Sequence, residues 1–294
     1  MSGQDVHARR PVTLSDIRDA AHRIAGHVTR TPLRLSPYLS EQFGHPVQLK
    51  LETMQDTGAF KLRGATNALL SLGPAERDRG VIAVSTGNHG RGVAYAAKAL
   101  GITCCVYMSE LVPAVKVDAI RALGAEVVIT GRSQDDAEAE AMMRIDRDGL
   151  TYIHPFDDPH VIAGQGTIGL EILEDMPDVA NVIVPLSGGG LFCGIATAVK
   201  TMKPSARLSG VTMENGAAMI DSLDAGKPVP VEETESLADS LGGGIGFDNA
   251  FTFNMTQRYI DDTLRLSEAQ IAAAMKTLFI EDRIVAEGGG AVGV

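Results

Sequence analysis

Apolar residues stand at Leu14, Ile17, Ala21 and Ile24, the spacing of one helical face, behind a Thr13 to Asp16 capping box, which predicts an opening amphipathic helix. Val47 to Leu51 reads as a strand, and beyond it short apolar runs alternate with longer amphipathic ones. VIAVS (81–85) precedes GRGVAYAAKAL (90–100), which stops at Gly101; TCCVYM (103–108) precedes VKVDAIRAL (115–123), which stops at Gly124; EVVIT precedes a further helix. A second series follows: helix 161–175, strand NVIVP (181–185), helix 190–202, strand LSGVTM (208–213) and a long helix over 267–281. The strands are continuous apolar runs, as expected where helices cover both faces of a parallel sheet, so the fold class is α/β. Turn residues cluster at Gly73-Pro74 and in HPFDDP (154–159). They divide the chain into a smaller lobe, 80–156, inserted in a larger one formed by 1–79 and 157–294.

Composition narrows the function. With 294 residues, 45% of them hydrophobic, the chain can bury a large core and is neither disordered nor fibrous. Its 26 basic residues against 37 acidic give a net charge of −11 without a basic run, which disfavours nucleic acid or an anionic membrane and leaves a small molecule as the expected partner. Three cysteines, Cys104, Cys105 and Cys193, make no disulfide framework and fit a reducing compartment, with the cytoplasm as the expectation. The N-terminus lacks the apolar core of a signal peptide, and no apolar run approaches the roughly 18 residues of a membrane span.

Three segments can carry chemistry. In GAFKLRGA, Lys61 opens a helix-prone stretch running to Leu70. The partial positive charge of a helix N-terminus favours the neutral amine, the form that attacks a carbonyl to make a Schiff base, although a lone lysine is more often a solvated surface charge. STGNHG (85–90) lies between a strand and a helix, where unpaired backbone N–H groups and the side chains of Ser85, Thr86 and Asn88 can hold an anion; a capped βα turn is the plainer reading. Ser187-Gly188-Gly189-Gly190-Leu191 also follows a strand and opens a helix. It is neither a Walker loop nor a dinucleotide fingerprint, and a single phosphate ester suits it better, with close packing as the other reason for its glycines. His154 reads as a loop residue and Cys193 as a small buried hydrophobe. Glu214 has no partner at ligand spacing, so no transition-metal site is expected.

AFKLRGA, STGNHGRG, HPFDDP with VIAGQGTIGLEI, and SGGGL, in this order, resemble the threonine dehydratase and serine racemase group of fold-type II pyridoxal-phosphate enzymes, from about residue 14 to the end. The resemblance implies two lobes, each a mainly parallel sheet flanked by helices, and a homodimer. It implies pyridoxal 5′-phosphate in Schiff-base linkage to Lys61, with Phe60 against the ring, Asn88 near its phenolic oxygen, and Ser187, Gly188, Gly189, Gly190 and Leu191 around the phosphate. Ser85, Thr86, Asn88 and His89 would take the substrate carboxylate. The reaction implied is loss of water from a 3-hydroxy-2-amino acid, giving a 2-keto acid and ammonia.

The chain also departs from that group. Ala59 replaces the usual serine before Phe-Lys, and Thr86 stands where racemising members carry a serine base, so racemisation is expected to be negligible. Ile220 replaces a carboxylate of the group's metal site. Gly242, Gly243 and Gly244 stand where many relatives carry bulk, which implies room beyond the γ-carbon of threonine; ADSLGGGIG, MSELVPAVKVDAIRALGAEV and GRSQDDA are similar to the hydroxyectoine-utilisation dehydratase branch. The partner of the pyridine nitrogen is expected beyond Val294. Other readings are a general threonine or serine dehydratase, a β-replacement enzyme, a silent cofactor binder and, least favoured, a nicotinamide-dependent oxidoreductase.

Overall fold

The computed structural model describes residues 10–85, 87–110 and 112–294. Helix α1 (Leu14–Ile24) begins at the expected box: Thr13 accepts from the Asp16 amide while Asp16 accepts from Thr13, and Ile17, Ala20 and Ile24 are buried. Strands β1 (Leu33–Leu35) and β2 (Gln48–Lys50) pair antiparallel around α2 (Pro37–Phe43). Then come α3 (Lys61–Leu70) and α4 (Pro74–Arg79), the latter starting at the Gly73-Pro74 turn with proline at its first position.

Strands β3 (Val81–Val84), β4 (Cys104–Met108), β5 (Glu126–Ile129) and β6 (Thr151–Tyr152), with helices α5 (Asn88–Leu100), α6 (Ala114–Arg121) and α7 (Gln134–Asp148) between them, form a parallel sheet in the order β5-β4-β3-β6. Every residue of β3 and β4 is buried, as their unbroken apolar runs require. Helix α8 (Pro159–Asp175) leads into the second parallel sheet, β7-β8-β9, made of β7 (Asn181–Pro185), β8 (Arg207–Met213) and β9 (Asp262–Leu266). Between its strands run α9 (Gly190–Met202), α10 (Ala218–Ala225) and α11 (Thr252–Tyr259); α12 (Glu268–Thr277) and α13 (Gly288–Ala291) close the chain.

Three expectations need correction. Strand β7 is not covered on both faces: Val182 and Val184 are buried, but Ile183 is half exposed, because β7 is an edge strand facing α9 on one side. Strand β5, also an edge, is likewise only partly buried. The helix expected over 267–281 ends at Thr277, and Leu278–Asp282 winds into a π-turn that stops at Arg283, whose φ of 59° is left-handed.

Helix α8 is the axis of the molecule, and its GQGTIG segment is the reason. A Cβ at Gly164 would lie 2.7 Å from both the Arg63 carbonyl oxygen and the Gly64 Cα of α3. A Cβ at Gly194 of α9 would lie 2.5 Å from the Gly166 nitrogen of α8. Glycine at these crossings lets the backbones of α3 and α9 touch α8 on either side, which sets the spacing between the starts of α3 and α9. Arg63, buried within α3, is bound by Glu52 at 2.8 Å and Glu171 at 2.6 Å and fixes the same helix from below.

Candidate active site

The loops after β3 and β7 lie at the carboxyl ends of parallel strands, where α/β sheets place their ligands. They open on one cleft of about 1950 Å³. Phe60, Lys61, Ser85, Asn88, His89, Ser187 to Leu191 and Gly243 all line it, so the structure brings together the expected site residues that it describes. Thr86 lies outside the described residues.

Lys61 is the first residue of α3, as the sequence predicts. Helix α5 holds this turn from the other side: a Cβ on Gly92 would come within 3.3 Å of the Lys61 carbonyl carbon and the Leu62 nitrogen. The Lys61 amine donates to the Pro155 carbonyl oxygen at 2.7 Å and lies 5.5 Å from the Phe60 ring. Burial, which disfavours the ammonium, lowers its pKa to about 8, so a substantial neutral fraction exists near physiological pH.

The glycine loop is shaped by packing and left open to a ligand at once. Phe156 of HPFDDP occupies the space where side chains at Gly188 and Gly190 would be; a Cβ on Gly190 would lie 2.8 Å from the Phe156 carbonyl oxygen. Gly189 has φ 88°, and its Cβ would meet Met219 and Thr252. Among the described residues, no protein group accepts from the amides of Ser187, Gly188, Gly189, Gly190 or Leu191. These unpaired N–H groups at the start of α9 form a cradle for an anion. Cys193, one turn further, is sealed in: its sulfur lies 3.3 Å from the Thr256 hydroxyl, and burial pushes its pKa up to about 12, so it is no nucleophile.

The second loop is more divided. Ser85 accepts from the Gly87 amide, and Asn88 donates across the cleft to Glu287 at 2.8 Å. The His89 side chain turns away into the core, where its Nε2 bonds the Ile153 carbonyl at 2.7 Å and burial lowers its pKa to about 3. Its backbone N–H, at the start of α5, is what His89 can offer a carboxylate.

HPFDDP carries more of the site than a boundary segment would. His154 Nδ1 accepts from the amides of Phe156 and Asp157, Pro155 holds Lys61, and Phe156 packs on the glycine loop. Asp157 accepts from the amides of Ala250, Phe251 and Thr252, capping α11, and Asp158 caps α8 through His160 and Val161. Asp158-Pro159 is itself a helix-start signal, which places α8 two residues before the expected start at 161.

An amine of lowered pKa and a cradle of unpaired amides lining one cleft fit an aldehyde that carries a phosphate. Comparison with known proteins agrees. Residues 24–294 match the family model of the pyridoxal-phosphate dependent enzymes. A Sinorhizobium fredii relative provisionally named threonine dehydratase is 56% identical over 96% of this chain and 85% of its own length. The L-threonine ammonia-lyase of Thermotoga maritima is 44% identical, over 96% of this chain and 70% of its own. Maize serine racemase superposes with a TM-score of 0.92 at 32% identity, covering 96% of this chain and 85% of that one. The chain belongs to the pyridoxal-phosphate dependent enzymes.

Proposed function

We propose that this enzyme removes water from a 3-hydroxy-2-amino acid, with Lys61 as cofactor anchor and base, releasing a 2-keto acid and ammonia. The single observation that carries the reading is the pairing of the buried Lys61 amine, its pKa lowered, with the open glycine cradle in one cleft. Ser187 to Leu191 would hold the cofactor phosphate, Phe60 would lie against the ring, and Asn88 would meet the phenolic oxygen. When bound, pyridoxal phosphate supplies the electron sink for the carbanion left by α-proton removal. The amides at the start of α5, with Ser85 and Thr86, would seat the substrate carboxylate. The Lys61 amine would take the α-proton, a role its lowered pKa supports.

The relatives named for L-threonine support L-threonine as substrate. The open cleft beside Gly244, where a Cβ would meet nothing within 4 Å, supports a longer one. A γ-substituted threonine, such as the 4-acetamido compound from ring-opened hydroxyectoine, would extend into that space. Ammonia and 2-keto acid release from the cofactor-loaded protein, measured with both substrates, tests the reading; release from neither overturns it. The two lobes, 80–156 and 1–79 with 157–294, would then contribute the carboxylate loop and the cofactor loop. Three unpaired buried cysteines support a reducing, cytoplasmic setting, and exposed Leu35, Phe43 and Phe279 support a homodimer.

A further inference from the structure

His154 stands beside Lys61 in the same cleft, yet the reaction described above gives it no part. Its ring is fixed on three sides. Nδ1 accepts from the Phe156 amide at 3.2 Å and the Asp157 amide at 2.8 Å. Tyr152 and Phe156 pack edge-on against the ring, at 5.7 Å and 4.7 Å between centroids. A nitrogen that accepts two N–H groups cannot carry a proton, so the proton of the neutral ring sits on Nε2. Among the described residues, no protein group accepts from Nε2.

We propose that His154 is a substrate-binding residue whose Nε2–H donates to the β-hydroxyl oxygen of the amino acid. The assignment rests on the elimination reading, because it needs a β-oxygen in the cleft. The two amides keep the ring neutral and aimed, so the donor is in place before substrate arrives. Burial, together with the nearby Lys61, works against a second proton, while Asp157, Asp158 and Asp248 pull the other way; the net direction is toward the neutral ring. His154 would orient the leaving hydroxyl and would not protonate it, since losing the Nε2 proton would leave an imidazolate.

Two substitutions separate the turn from the donor. In His154→Asn the amide oxygen can take the place of Nδ1 and keep the turn, but the donor is lost. In His154→Gln the amide nitrogen can reach the Nε2 position, while the turn loses its acceptor. The ligands are α-methylserine, which keeps the hydroxyl but has no α-proton to lose, and 2-aminoisobutyrate, which lacks the hydroxyl. Affinity is read from the absorbance change of the bound cofactor, without turnover. The wild-type holoenzyme should prefer α-methylserine by about fivefold to tenfold, as one neutral hydrogen bond allows. The Asn variant should lose that preference and the Gln variant should keep most of it. A preference kept by Asn, or lost by Gln, overturns the assignment, as do equal affinities in the wild type. A wild-type holoenzyme that shifts with neither ligand overturns the elimination reading as well, which is a distinct outcome.

Discussion

The Lys61 amine and the Pro155 carbonyl oxygen meet at 2.7 Å across 94 residues of chain, joining the first turn of α3 to the segment that enters α8. The same segment packs Phe156 onto the glycine loop. One stretch of irregular backbone therefore touches both the reactive amine and the anion cradle, and the distance between them is a property of that stretch and of the glycine crossings on α8.

Burying the Lys61 amine costs stability whenever it is charged. Its pKa is lowered to about 8 in the folded protein, against the 10.5 of an unperturbed lysine. Between these values the unfolded chain binds more protons, so stability rises with pH there, and the full penalty is present below pH 8. Lys61→Met should stabilise the cofactor-free protein at pH 7 by on the order of 2 kcal/mol. Urea unfolding at pH 7 and at pH 10.5 checks this: the gain should shrink at the higher pH.

Gly188→Ala should drive a methyl group into the Phe156 ring and weaken cofactor binding, at a packing cost of about 1–3 kcal/mol. If that collision is the cause, Phe156→Ala in the same chain should restore part of the affinity. Cofactor titration of the two single variants and the double variant measures the coupling; additive losses would reject a shared cause.

Asp157 receives three amides at the start of α11, whose Thr252 and Thr256 flank Cys193 and Gly189. Asp157→Ala should cost about 1–2 kcal/mol, and Asp157→Asn less, because one amide oxygen still accepts. Thermal unfolding of the two variants gives the order directly.

Arg63 is buried between Glu52 and Glu171, and Lys50 adds a second ion pair to Glu171 at 2.5 Å. Burial alone would weaken the guanidinium's charge; the bonds to Glu52 and Glu171 more than offset it and raise its pKa. Arg63→Met leaves Glu52 with only the neutral donors Thr31 and Gln55 and Glu171 with Lys50 alone, and a loss of about 3 kcal/mol is expected. Because α3 begins two residues earlier, the same variant should also displace Lys61, seen as weaker cofactor retention at temperatures where the protein stays folded.

Where one face of an element is covered by its immediate neighbours, local pattern suffices. NVIVP and the helix 190–202 are found at the bounds their apolar runs predict, and the Thr13 box starts α1. Strand β9 escapes such reading, because DTLRL is mostly exposed at a sheet edge and carries no apolar run. The motifs mark where the cleft is, but not how it is held. Gly64 and Gly164, or Lys61 and Pro155, are about a hundred residues apart, and no periodicity reports on a contact of that separation. His89 shows the limit from the other side: a polar residue in an anion loop whose side chain belongs to the core.

Lys61 is the residue on which the proposed chemistry turns. The direct measurement is borohydride reduction of the cofactor-loaded protein followed by peptide mapping. A pyridoxyl label confined to the peptide that contains Lys61 is the predicted result. A label on another lysine, or none with cofactor bound, would contradict it.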